Sequence, residues 1–213
     1  MRGKGINNNN HDYVDLNLPS GTLWSTMNVG AHKPTDTGLY FQWGDIIGYS
    51  PDQISRSKEK KTFDWPDYKF SIDGSYSNLS KYTTLGETLY LEDDAAHIFM
   101  HGDWHMPTPT QFKELIDETI SNWVTLNGTN GMKFSSKKDP TKYIFIPAAG
   151  DAYRGSIHNS GIEAYIWSSM LDDTWGAYNA QGLEFYCYSK NSGHVFCHGG
   201  DRCYGFSIRG VIG

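Results

Sequence analysis

The chain has 213 residues, enough for one domain with a sizeable buried core. Its formal charge of −6, from 18 Lys and Arg against 24 Asp and Glu, disfavours a nucleic-acid partner, and no basic stripe that would neutralise phosphates is visible. The one basic run, Lys58 to Lys61, is broken by Glu59 and reads as a solvated loop. No stretch of apolar residues is long enough to span a bilayer, and the N-terminus lacks the apolar core of a signal peptide, so neither membrane insertion nor export by that route is expected.

Aromatic residues at 15% and 23 glycines fit a loop-rich fold carrying short strands. Residues 1–12, with four consecutive asparagines, read as a flexible lead-in. Residues 13–213 read as a single domain. Tyr13 to Leu18 alternates as a strand, Pro19-Ser-Gly21 turns, and Thr22 to Val29 returns. Trp24 and Trp43 are expected in the core, the latter within the aromatic segment Gly38 to Gly44. Residues 46–84 form a long polar insertion with Pro51 and Pro66 and no sustained period.

Acidic residues open a helix at Leu91 to His97, which makes Asp93 and Asp94 helix-start residues rather than calcium ligands. His97, His101 and His105 lack the Glu and the fourth ligand of a zinc site. A second helix follows Pro107, capped by Thr108 or Thr110, with Phe112, Leu115, Ile116 and Ile120 on one face. Strands are expected at Trp123 to Leu126, Met132 to Phe134 and Tyr143 to Pro147, with turns at Asn127-Gly128 and Asn130-Gly131. Ala148-Ala-Gly150 is small enough to let another backbone pass closely. Residues 151–161 read as a loop, and Ala164 to Ser169 as a strand. A closing hairpin is expected between Leu183 to Phe185 and Gly205 to Arg209.

Between those last arms lies a run with no hydrophobic period: Tyr186, Cys187, Tyr188, Ser189, then Phe196 to Asp201, Cys203 and Tyr204. Neither a core strand nor a helix has this pattern, so it reads as surface presented by a rigid frame. The three cysteines all fall here, an odd count that does not make a disulfide framework.

The frame carries seven landmarks in order: Tyr13 to Ala31, YFQWGD from Tyr40, LEDDAAH from Leu91, WHMPTPTQFKELI from Trp104, IFIPAAG from Ile144, IWSS from Ile166 and YGFSIRG from Tyr204. Together they resemble C-type-lectin-like domains of the Fibrobacter succinogenes major paralogous type, found in gut Bacteroidetes and their phages. They also resemble the variable proteins of diversity-generating retroelements, of the phage major tropism determinant kind. The resemblance implies an α+β, C-type-lectin-like fold: two helices around short antiparallel sheets, loop-rich, with a variable ligand-binding region at about residues 166–213. It also implies display on a phage virion or bacterial cell surface, a host-surface protein or glycan as partner, and the possibility of an oligomer. In such retroelements asparagine codons are randomised at their adenines, which reaches Tyr, Cys, Ser, His, Gly, Asp and Phe but never Lys, Glu, Gln, Met or Trp. The irregular run is drawn from the reachable set, whereas Glu184 and Lys190 would be fixed.

No catalytic apparatus or cofactor is expected. The Glu-Pro-Asn, Gln-Pro-Asp and Trp-Asn-Asp triplets of calcium lectins are absent, as are a nucleophile elbow and a phosphate loop. Formylglycine-generating oxidases share the broad fold, but the cysteines here have only Arg202 nearby to activate a thiol. What remains is binding, through a paratope-like mixture of aromatic, imidazole and small residues. The expected contact residues are Trp175, Tyr178, Tyr186, Tyr188, His194, Phe196, His198, Asp201 and Tyr204. The alternative is an undiversified adhesin or structural module of the same fold.

Overall fold

The alternation at the start of the domain does form a hairpin. In the computed structural model, which describes residues 11–57, 59–187 and 193–213 and the backbone of residues 4–6, strands β2 (Asp12–Asp15) and β3 (Leu23–Asn28) pair antiparallel. Val14, Leu16 and Trp24 are buried on its inner side. The lead-in is not wholly outside the fold: Lys4–Ile6 adds a strand, β1, to the free edge of β2. The far edge of β3 takes the last strand, β12 (Arg209–Ile212), so the two ends of the chain share one sheet in the order β1-β2-β3-β12.

Two helices pack beside it. Helix α1 (Ala95–Met100) is short, preceded by a 3-10 turn at Leu91–Asp93, and Asp94 caps it by accepting from the His97 backbone N–H at 2.9 Å. Helix α2 (Pro109–Glu118) begins with a reciprocal cap: Thr108 accepts from the Gln111 N–H, and the Gln111 side chain accepts from the Thr108 N–H. Phe112 and Leu115 on α2 are fully buried. Ile120, expected on the same helix face, instead lies in the next strand and is exposed, because the helix ends at Glu118.

A second sheet follows, β4 (Thr119–Leu126), β5 (Thr129–Ser136) and β6 (Tyr143–Pro147). Asn127 and Gly128, both at positive φ, make its two-residue turn. Asn130-Gly131 is no turn: Gly131 sits inside β5, where a side chain would meet the Ile146 carbonyl and the Phe145 ring. Residues 151–161, expected as a loop, contain a small hairpin of β7 (Asp151–Tyr153) and β8 (Ser156–His158). Gly150 before it, at φ 72°, lies against the His158 carbonyl and has no room for a side chain.

The third sheet orders β11 (His194–Asp201), β10 (Asn179–Tyr186) and β9 (Glu163–Leu171). This corrects the reading of the C-terminal region. Leu183 to Phe185 pairs with Val195 to Cys197, so the run expected to be irregular is a regular antiparallel strand. Residues 204–208 leave that hairpin and thread between other elements, bonding Phe206 to Phe41, Gly205 to Ala152 and Ser207 to Trp167. Cys203, expected at the surface, is fully buried.

Two large apolar clusters make most of the core, beside a small one of Tyr40, Ile54, Phe63, Ala149 and Ala152. One joins α2 to the sheets through Trp24, Phe112, Ile144, Ile146 and Phe185. The other lies under the 46–84 insertion and holds Trp43, Tyr68, Phe70, Tyr82, Trp104, Trp167 and Phe206. The architecture is thus α+β, two helices with several short antiparallel sheets. Among the described residues no helix is long and apolar enough to cross a membrane.

Candidate functional site: the outer face of the β9–β11 sheet

Side chains on a strand alternate between its two faces, so register decides what the third sheet shows to solvent. Ala164 and Ile166 of β9, Leu183 and Phe185 of β10, and Val195 of β11 pack inward on the α2 cluster. The alternate residues face the other way. Across the strands, Glu163 is opposite Tyr186 and Tyr186 opposite His194; Tyr165 is opposite Glu184 and Glu184 opposite Phe196; Trp167 is opposite Gly182 and Gly182 opposite His198. Tyr186, His194, Phe196 and His198 form a chain of ring contacts with centroids 5.2 to 6.0 Å apart.

Beneath these exposed rings lie two carboxyl groups, Glu163 at 3% exposure and Glu184 at 6%. Glu163 accepts from the Tyr165 hydroxyl at 2.8 Å and from the Asn159 amide at 2.7 Å. The Glu184 carboxylate lies 2.7 Å from His198 Nδ1. Burial pushes the Glu184 carboxyl up; His198 opposes that, and a hydrogen bond to Glu163 adds to it. Asp151, at the start of β7, is held up at about 6 by burial, partly opposed by His158 and reinforced by Glu163.

At its other end the sheet is roofed by a ring stack. Phe206 lies between Tyr165 and Trp167, with centroids at 4.7 and 4.0 Å. Beyond it opens a cleft of about 520 Å³, bounded by the 172–178 loop, β11 and Tyr204. The Asp172 carboxylate holds the loop by accepting from the Thr174 and Trp175 N–H groups at 2.6 and 2.8 Å. Trp175 projects from it with 72% of its surface exposed. Burial, followed by the nearby Asp201 charge, pushes the Tyr204 hydroxyl far up.

The expected contact residues divide accordingly. Tyr186, His194, Phe196 and His198 meet on the face; Trp175, Asp201 and Tyr204 line the cleft, and His198 borders both. Tyr178 is half-buried against Tyr76 of the insertion, ring centroids 5.3 Å apart. Asp201 is also half-buried; burial raises its pKa, while the Trp65 side chain bonds it and counters that shift. Tyr188 lies outside the described residues.

Two functional supports were missed. Arg202, fully buried, anchors the end of β11: Nε donates to Tyr68 Oη at 2.7 Å, Nη1 to the Tyr82 and Ala177 carbonyls, and Nη2 to that of Lys81. Its guanidinium sits 4.9 Å from the Trp43 ring and 5.3 Å from that of Tyr68. Glu163 was the other; a carboxylate in an otherwise apolar β9 was the available signal. The histidines near α1 serve structure, His97 Nδ1 meeting the Trp104 carbonyl and His105 Nε2 that of Gly213. Asp93 is an ion-pair centre for Lys69 and Lys81. Among the described residues no three His, Cys, Asp or Glu side chains are placed to hold a metal ion.

Cys197 and Cys203 are free thiols. Burial pushes both Cys197 and Cys203 up, away from the thiolate form. No family model matches the chain, and no curated protein or solved structure does either.

Proposed function

We propose that the chain is a ligand-recognition protein of C-type-lectin-like fold, its C-terminal region diversified by a retroelement and displayed on a phage or bacterial surface. Its target is a host-surface protein or glycan. One observation carries the reading: the rings that β10 and β11 show on this face are all of the reachable set, while Glu163, Glu184 and Trp167, packed beneath them, are of types that adenine randomisation cannot produce. Tyr186, His194, Phe196 and His198 are presented to solvent or half-exposed, whereas Glu163, Glu184 and Trp167 lie buried beneath. A variable set on an invariant floor is what diversification without unfolding requires.

The rings supply amphipathic contact area, and the neighbouring cleft has the volume of a ligand site. Binding rather than thiol chemistry is also favoured by the raised Cys197 and Cys203, since an oxidase of the formylglycine-generating type needs an accessible, activated cysteine pair.

The test is to sequence the encoding locus beyond the stop codon. The reading requires a near-copy of the gene's 3′ end beside a reverse transcriptase, differing from the gene only at adenines, with the differences in codons for the face and cleft. A locus with no such copy leaves an undiversified adhesin or structural module in its place.

A further inference from the structure

The cleft beside the face has a chemistry of its own. Its walls are aromatic: the exposed indole of Trp175 and the rings of Tyr165 and Tyr204. Its charge is of one sign. Asp151, Asp172, Asp173 and Asp201 all line it, His198 is the one basic residue that does, and no lysine or arginine lines it. Some acids elsewhere are paired with lysines, Asp93 and Asp117 among them. Among the described residues none of the four cleft aspartates has an ion-pair partner. The nearest buried cation, Arg202, has its guanidinium committed to Tyr68, Tyr82, Ala177 and Lys81. Glu163 and Glu184 lie behind the same wall and add to its field.

A cavity of ligand size with aromatic walls and uncompensated carboxylates is complementary to an organic cation. Aromatic faces attract a cation electrostatically and also grip methylene groups, and carboxylates accept from an ammonium. We infer that this cleft receives the ammonium-bearing side chain of a lysine from the partner protein. The inference rests on the recognition reading and names the chemical class that the cleft selects. The four-carbon stem lies along Trp175 and Tyr204, and the ammonium group meets Asp172, Asp173 and Asp201. The sheet face around His194 and Phe196 then contacts the partner's surface surrounding that lysine.

The test follows the Trp175 indole N–H of the full chain by NMR, the signal being assigned through Trp175→Phe. The probes are Nα-acetyl-lysine methylamide and its neutral counterpart Nα-acetyl-norleucine methylamide, with glucosamine as the amino-sugar arm. The lysine compound moves the signal saturably, and the norleucine compound binds about tenfold more weakly. The double substitution Asp172→Asn and Asp173→Asn keeps the loop's acceptor oxygens and weakens the lysine compound by a comparable factor, as does raising the salt concentration. Equal response to both amides overturns the inference, as does lysine binding indifferent to the double substitution, or no saturable shift with any probe. A response to glucosamine alone overturns the lysine assignment. The locus sequence does not enter this test: a template repeat with no lysine response keeps the recognition reading and removes the cation, and a lysine response without a repeat does the reverse.

Discussion

Residues 194–201 and 202–211 are consecutive in the chain and differ in almost every physical respect. The first stretch is an edge strand, paired along one side, with His194, Phe196, Cys197 and His198 exposed. In the second, Arg202, Cys203 and every residue from Gly205 to Val211 are buried. The change happens at Arg202, where the chain passes from one hydrogen-bonded neighbour to an enclosure built by the insertion. The difference teaches how this protein separates an exposed face from the structure that holds it, which is what the proposed recognition role needs. His194 and Phe196 in the first stretch touch little that would notice their replacement, His198 reaches only the Glu184 carboxylate, and the second stretch is locked by partners from distant parts of the chain.

The comparison can be broken most forcefully at its boundary. Arg202→Ala leaves the Tyr82, Ala177 and Lys81 carbonyls and the Tyr68 hydroxyl without their donor and opens a cavity among four rings. Its expected cost is about 3–5 kcal/mol, read from urea unfolding, with the insertion losing amide-exchange protection alongside β11. A loss under 1 kcal/mol would mean that the enclosure does not hold the strand. Gly150→Ala forces a side chain against the His158 carbonyl from a backbone at φ 72° and should cost about 2 kcal/mol or more by the same measurement.

A smaller effect sharpens the electrostatics under the face. Asp151 has its pKa raised from 3.8 to about 6, so the folded chain holds a proton that the unfolded chain has released. Stability therefore falls as pH rises from about 4 to 6, and the penalty is fully present above the folded value. Asp151→Asn should remove that slope and raise stability at neutral pH by about 1 kcal/mol, after allowance for solvent screening. Thermal unfolding across that pH range checks both signs. The smallest effects belong to the exposed rings: Trp175→Ala and Phe196→Ala should each stay within about 0.5 kcal/mol of the parent.

What could be read from the sequence was set by how local each cause is. Thr108 and Gln111 cap α2 from three residues apart, and Asn127-Gly128 makes its turn with its own dihedrals. The alternation of Tyr13 to Leu18 also needs no distant partner to be recognised. Asn130-Gly131 carries the same turn signal, yet Gly131 is demanded by a carbonyl on the neighbouring strand. The run from Phe196 to Asp201 showed no period because the positions alternating with Phe196 and His198 are the small residues Cys197 and Gly199, which carry no apolar signal. Of the expected contact residues, the exposure of Trp175, His194, Phe196 and His198 was legible from composition. The floor beneath them was not, since Arg202 acquires its role only from Tyr68 and Tyr82, more than a hundred residues earlier.

The central claim is that the outer face of β9–β11 can change freely while the frame cannot. The direct measurement is a library randomising His194, Phe196 and Trp175 together, with Tm determined for a sample of clones unselected for binding. The account predicts that most clones melt within a few degrees of the parent, as independent surface substitutions should. A broad collapse of Tm across that sample would place those side chains in the stabilising structure and contradict it.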